Sequence, residues 1–89
     1  MVEVKFAPNL ERHRSAPPAE VTGNTVGEAL QAALRRRPRL RGHVLDDRGR
    51  LRKHIVVFVN GALIEDRHRL TDPVEPASEL LVMRAFAAG

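Results

Sequence analysis

Apolar and polar residues alternate strictly at the start of the chain, where Glu3 and Lys5 separate Val2, Val4 and Phe6. Successive side chains of a strand point to opposite faces, so the pattern predicts a half-buried strand. Ala7-Pro8-Asn9 punctuates it, Glu11 to Pro18 is polar and proline-bearing and reads as a loop, and Ala19-Glu20-Val21 is a candidate second strand. In Thr25-Val26-Gly27-Glu28 a threonine is followed three residues later by glutamate, the pattern of a capping box. Val26, Ala29, Leu30, Ala33 and Leu34 then fall on one helical face. A helix is expected over Thr25–Arg37, stopped by Pro38 because proline disfavours helical backbone in the residue before it. Leu40 to Lys53 reads as irregular, with a turn at Asp46-Asp47-Arg48-Gly49.

Ile55-Val56-Val57-Phe58-Val59 is a continuous, largely β-branched run. It predicts an interior strand, covered on both faces or meeting a partner with its outer face. Asn60-Gly61 is a two-residue hairpin signal, and Ala62-Leu63-Ile64 returns. A polar stretch with Pro73 and Pro76 leads to a last strand, Glu79 to about Ala85. Within it Leu80 and Val82 share one side, Leu81 and Met83 the other. If the first pair faces the helix, the second lies on the open face near Phe86. There it either docks a partner or lies under a loop such as Leu40–Leu51. Val2, Val4, Phe6, Leu30, Leu34, Val57, Val59, Leu80 and Val82 are the expected core. Hairpin, helix, loop, hairpin and final strand make an α+β design, one main helix on a small mixed sheet. If the first and last strands are neighbours they run parallel, which is the β-grasp arrangement.

At 89 residues the chain is expected to form a single domain. Aromatic content of 3% leaves Leu and Val to fill its interior. There is no cysteine, which excludes disulfides, thiol catalysis and cysteine metal sites and points to the cytoplasm. No signal peptide is evident ahead of the first strand, and no apolar run approaches the roughly 20 residues of a membrane span. His13, His43, His54 and His68 show no paired helical spacing, so no metal site is expected. No catalytic triad or phosphate loop is present, so neither catalysis of its own nor a bound cofactor is expected. Thirteen of the fifteen basic residues are arginine, densest at Arg35-Arg36-Arg37-Pro38-Arg39-Leu40-Arg41. Arginines there complement the helix dipole. Without interleaved aromatics to stack bases, nucleic acid is not an expected partner.

The segment LRGHVLDDRGRLRKHIVVFVNGALIED, Leu40 to Asp66, resembles the ThiS/MoaD-type sulfur-carrier proteins. These often show an L-R-x-x-L-x-D-x-x-G-x-L-R segment followed by a V-x-V-F-V-N-G strand and turn. The matching positions are Leu40, Arg41, Val44 or Leu45, Asp46 or Asp47, Gly49, Leu51 and Arg52, then Val57-Phe58-Val59-Asn60-Gly61. Thr25 to Leu30 and Thr71-Asp72-Pro73-Val74 match further family patterns, so the resemblance covers nearly the whole chain.

The resemblance implies a ubiquitin-like β-grasp domain over residues 1–89, with a flexible tail from about 85 to 89. It implies that the Gly89 carboxylate is the reactive group. A ubiquitin-activating-type adenylyltransferase spends ATP to adenylate it, sulfur transfer gives a thiocarboxylate, and a sulfur-accepting synthase or large subunit receives the sulfur. The molybdopterin branch is favoured. Ala87 and Ala88 form the thin tail, and Phe58, Leu81, Met83, Arg84 and Phe86 are the expected partner-binding residues. Two positions depart from the family pattern: Ala88 stands where glycine is usual, and Arg84 where proline is common. The alternatives are a ubiquitin-like protein modifier that links Gly89 to lysines, and an interaction module that has lost carrier chemistry.

Overall fold

The computed structural model describes residues 1–10 and 17–85. The first positions of the loop expected over Glu11–Pro18 therefore lie outside the described residues, as do Phe86, Ala87, Ala88 and Gly89.

Strand β1 (Val2–Phe6) buries Val2, Val4 and Phe6 and turns Glu3 and Lys5 to the other face. A 3-10 turn at Pro8–Leu10 follows, then β2 (Ala19–Val21), which pairs antiparallel with β1. Helix α1 (Val26–Arg36) starts where the capping pattern places it. The Glu28 N–H donates to Thr25 Oγ1 at 3.1 Å. Glu28 Oε1 reaches back to the N–H of Asn24, one residue earlier than in the usual reciprocal pair. The remaining free donors of the first turn are satisfied from far along the chain: Val26 N–H donates to Asp72 O and Gly27 N–H to Leu70 O, each at 2.9 Å.

Helix α1 stops ahead of Pro38 as expected, but Pro38 also opens a second helix, α2 (Pro38–Val44), whose end lies in the stretch Leu40 to Lys53 expected to be irregular. Proline at the first helical position loses no hydrogen bond, since that N–H has no intrahelical partner, and its fixed φ suits the helix. Leu40 and Val44, one turn apart, bury together against the core. Arg37 sits between the helices. Its N–H caps the last carbonyls of α1, Ala33 O and Leu34 O, and its guanidinium donates to Pro17 O at 2.8 Å. Arg41 donates to Gln31 Oε1 at 3.0 Å, joining α2 to α1. Part of the arginine cluster thus clamps the two helices.

The remaining strands are β3 (Ile55–Val59), β4 (Ala62–Leu63) and β5 (Glu79–Arg84). They complete a five-stranded sheet of order β2-β1-β5-β3-β4. β1 and β5 are parallel, Val4 opposite Leu80 and Phe6 opposite Val82. β3 is interior as expected, antiparallel to β5 and to β4. Asn60 and Gly61 both have positive φ, 49° and 86°, as a tight hairpin turn whose twist matches that of the strands requires. All nine expected core residues are buried except Val59, which is half-buried and packs against the cluster. The cluster also takes in Leu10, Leu40, Val44, Leu45, Leu51, Ile64, Leu70 and Val74 from outside the strands and α1. Each fully buried aliphatic side chain contributes about 1.5–3 kcal/mol of transfer free energy.

Three carboxylates organise the long loops. Hydrogen bonds from Arg50 N–H and Arg48 N–H, with the positive charges of Arg52 and Arg50 nearby, hold the Asp46 carboxyl below the ordinary carboxylate range. The hydroxyl of Thr71 and the N–H of Arg69 do the same for Asp66. Asp72 accepts from the N–H groups of Glu65 and Asp66 at 2.9 and 2.8 Å. These bonds shape the loop whose carbonyls cap α1. No helix among the described residues is long and apolar enough to cross a membrane.

Candidate functional site

Both helices and the loop from Leu45 to Leu51 supply buried residues to the cluster that also holds Leu80 and Val82. The opposite face of the sheet is the one that carries Leu81 and Met83. The register of the strands assembles it. Phe58 of β3 is opposite Leu81 of β5 and Leu63 of β4, Val56 is opposite Met83, and Lys5 of β1 is opposite Leu81. Opposed residues share a face, so Val56, Phe58, Leu63, Leu81 and Met83 form one apolar strip. Four of the five are half-buried, and Leu63 is 59% exposed.

A shallow depression of about 480 Å³ lies along the strip, lined by Glu3, Lys5, Phe58, Glu79, Leu81 and Met83 among others. At one end Glu20, Glu3 and Glu79 stand side by side across β2, β1 and β5. Asn60 closes the same end: its N–H donates to Glu79 O at 2.8 Å, and its Oδ1 accepts from Glu79 N–H at 2.9 Å. At the other end the ladder runs one residue past β5, Ala85 N–H donating to His54 O at 2.7 Å. β5 lies between β1 and β3, so the chain enters its last residues from the middle of the sheet. Among the described residues, no group of three or more His, Cys, Asp or Glu side chains is arranged to hold a metal ion. The arrangement is an apolar strip with charged margins.

The same fold over the same length recurs in solved structures. SAMP1 from Haloferax volcanii superposes with a TM-score of 0.77 at 28% identity, over 99% of this chain and 98% of that one. A chain of the Amycolatopsis orientalis BexX/CysO complex gives 0.71 at 24% identity, over 100% of each. Urm1 from Trypanosoma brucei gives 0.60 at 18% identity, over 99% of this chain and 94% of that one. The chain is a ubiquitin-like β-grasp protein. The resemblance to ThiS/MoaD-type carriers drawn from the motifs is matched by these neighbours. No protein-family model matches the chain, and no curated protein matches it.

On this β-grasp scaffold the expected partner-binding residues separate. Phe58, Leu81 and Met83 come together on the open face. Arg84 does not join them. It has the parity of Leu80 and Val82, so it lies on the helix side of β5, exposed at the strand's end. Phe86, Ala87, Ala88 and Gly89 lie outside the described residues. The loop Leu40–Leu51, one candidate to cover Leu81 and Met83, instead buries Leu40, Val44, Leu45 and Leu51 in the core cluster. Val56, Leu63 and Lys5 are site residues that sequence reasoning missed. The two-residue turn at Asn60-Gly61 contained the signal for Leu63, because it forces Phe58 opposite Leu63.

Proposed function

We propose that this ubiquitin-like protein is a sulfur carrier. In this reading the Gly89 carboxylate attacks the α-phosphate of ATP in the site of a ubiquitin-activating-type adenylyltransferase, forming an acyl-adenylate and releasing pyrophosphate. Hydrosulfide from a donor then attacks the carbonyl carbon and expels AMP, and the thiocarboxylate that remains passes its sulfur to a sulfur-accepting synthase or large subunit. The carrier itself holds no cofactor; ATP belongs to the partner. A carboxylate is a poor electrophile, and AMP supplies the leaving group. Glycine at the reacting end has no Cβ to obstruct passage into another protein's channel. Ala87 and Ala88 keep the approach thin. The acceptor class favoured is of the molybdopterin type, and the cytoplasm is the expected compartment.

The observation that carries this reading is the union of an apolar open face with a central strand running toward Gly89, on a fold shared over nearly its full length with SAMP1. Phe58, Leu81 and Met83 dock the partner while the tail enters its site. The test is incubation with ATP, a sulfur donor and the adenylyltransferase of the same organism, followed by intact mass. The expected result is replacement of one oxygen by sulfur at Gly89. Absence of that exchange with a demonstrably active enzyme, in both the native protein and Ala88→Gly, rejects the carrier role.

A second reading is that of a protein modifier, favoured by the description of the Haloferax volcanii neighbour as a small archaeal modifier protein. It predicts an isopeptide bond from Gly89 to lysines of other proteins in the presence of ATP, detectable as higher-mass conjugates.

A further inference from the structure

Three carboxylates stand in one row at the start of the open face. Glu20 is opposite Glu3 across β2 and β1, and Glu3 is opposite Glu79 across β1 and β5. Adjacent strands are about 4.8 Å apart, so each neighbouring pair of like charges raises the energy of the folded chain. Lys5, the one cation of β1, is opposite Leu81 and not a glutamate. The adjoining turn carries Glu75 and, held by a bond from Ala77 N–H to Met1 O at 2.8 Å, the amino end of the chain, one charge of each sign. Asn60 locks the start of β5 through the backbone N–H and carbonyl of Glu79, so the Glu79 carboxylate has no part in that lock. Glu3 and Glu79 both line the depression of about 480 Å³, where Phe58, Leu81 and Met83 supply an apolar wall and Lys5 stands in the lining as well.

An occupant has to offer an apolar stem to that wall, a positive charge to the carboxylates and a flat face to Phe58. Arginine combines the three. Its methylene stem packs on apolar side chains while its head stays polar. Its planar guanidinium can donate to two carboxylates at once and stacks on an aromatic ring. Lysine brings a compact, strongly hydrated ammonium with no fork. Lys5 offsets one carboxylate, and with Glu20 beside Glu3 the row stays net negative. The depression is shallow. Beside it lie Val56, opposite Met83, and Leu63, opposite Phe58. A small free molecule would remain largely in water there, whereas a side chain carried on a docked protein is covered by the rest of the interface.

We infer that the depression between Glu3, Glu79 and Phe58 receives an arginine side chain of the protein that docks on the open face. The inference rests on the carrier reading for the identity of that protein, the adenylyltransferase, and names the group it presents.

Two measurements test it. Nα-acetyl-arginine methylamide and its lysine counterpart are titrated into the native chain while NMR shifts are followed. The arginine compound should give saturable shifts at Glu3, Phe58, Glu79, Leu81 and Met83, and bind at least about threefold tighter than the lysine compound. Glu79→Gln should weaken its binding by about 10-fold, yet leave the thermal midpoint unchanged or higher, because it removes a like-charge neighbour. Glu3→Gln is the second variant, expected to act in the same direction. Lys5→Gln, which removes a competing cation, should tighten binding. In ATP–pyrophosphate exchange by the adenylyltransferase of the same organism, Glu79→Gln should raise the KM for carrier by about 10-fold with kcat unchanged. No saturable shift, equal binding of the lysine compound, or an unchanged KM overturns the inference and leaves the carrier role standing. Self-association of the native chain that Glu79→Gln abolishes would assign the arginine to a second copy, through its exposed Arg35, Arg36 or Arg39, and overturn the partner assignment. A native chain that binds the arginine compound selectively but supports no exchange overturns the carrier role and leaves the arginine site.

Discussion

At Gly23 the backbone passes so close to α1 that an added Cβ would lie 2.8 Å from Ala29 N and 3.2 Å from Ala29 Cα. Both are backbone atoms and cannot swing away. Gly23→Ala is therefore expected to destabilise by about 1–3 kcal/mol through overpacking, read as a lower urea midpoint at unchanged slope. Met83 presents the opposite case. It is half-buried on an apolar strip while the helices and the Leu45–Leu51 loop occupy the other face. Met83→Arg should change stability by only about 0.5 kcal/mol, because an arginine there keeps its charge in water. The same change should abolish capture of the adenylyltransferase. A melting curve beside a pull-down checks both, and a large loss of stability would mean that the strip is covered.

The first turn of helix α1 depends on a loop that comes after β4 in sequence. Thr25 caps one N–H, and the carbonyls of Leu70 and Asp72 take two more. Thr25→Ala is expected to cost about 1 kcal/mol, measured by chemical denaturation. The loop is in turn shaped by Asp66, whose folded value lies below the ordinary 3.8. A carboxyl depressed by folding adds stability in full above its unfolded value, and that contribution is lost as pH falls through the lower folded value. Asp66→Asn should therefore flatten the fall in melting temperature as the solution is acidified below about 3.8, while lowering stability at neutral pH. An unchanged acid profile would show that Asp66 does not couple the loop to folding.

Among the described residues, the buried cluster draws on positions from Val2 to Val82, and the proposed chemistry is placed seven residues further on, at Gly89. Deleting Gly89, or adding one residue after it, should leave the thermal midpoint where it was and abolish activation by ATP. Removing the added residue by proteolysis should restore it. Intact mass after incubation with the activating enzyme reads the chemistry, and a melting scan reads the fold. A shift of the midpoint on deletion would place the tail among the stabilising elements and count against its role as a free substrate arm.

Strict alternation in Val2–Phe6, the Thr25-x-x-Glu28 cap with its apolar stripe and the Asn60-Gly61 turn were each readable because one local force dominates: pleat geometry, capping of free N–H groups, and the need for positive φ. The parallel neighbour relation of β1 and β5 followed as a conditional, and the pairing of Val4 with Leu80 fulfils it. Helix α2 was not readable, since Pro38 serves equally as a stop or as a first helical residue, and only burial of Leu40 and Val44 favours the second. Nor did Ile55–Val59 disclose which of its faces is bare, because every residue in it is apolar and alternation carries no information there. Tertiary packing decided both. Once α1, α2 and the Leu45–Leu51 loop had buried their apolar residues against Ile55, Val57, Leu80 and Val82, the face with Val56, Phe58, Leu81 and Met83 was left as the open one.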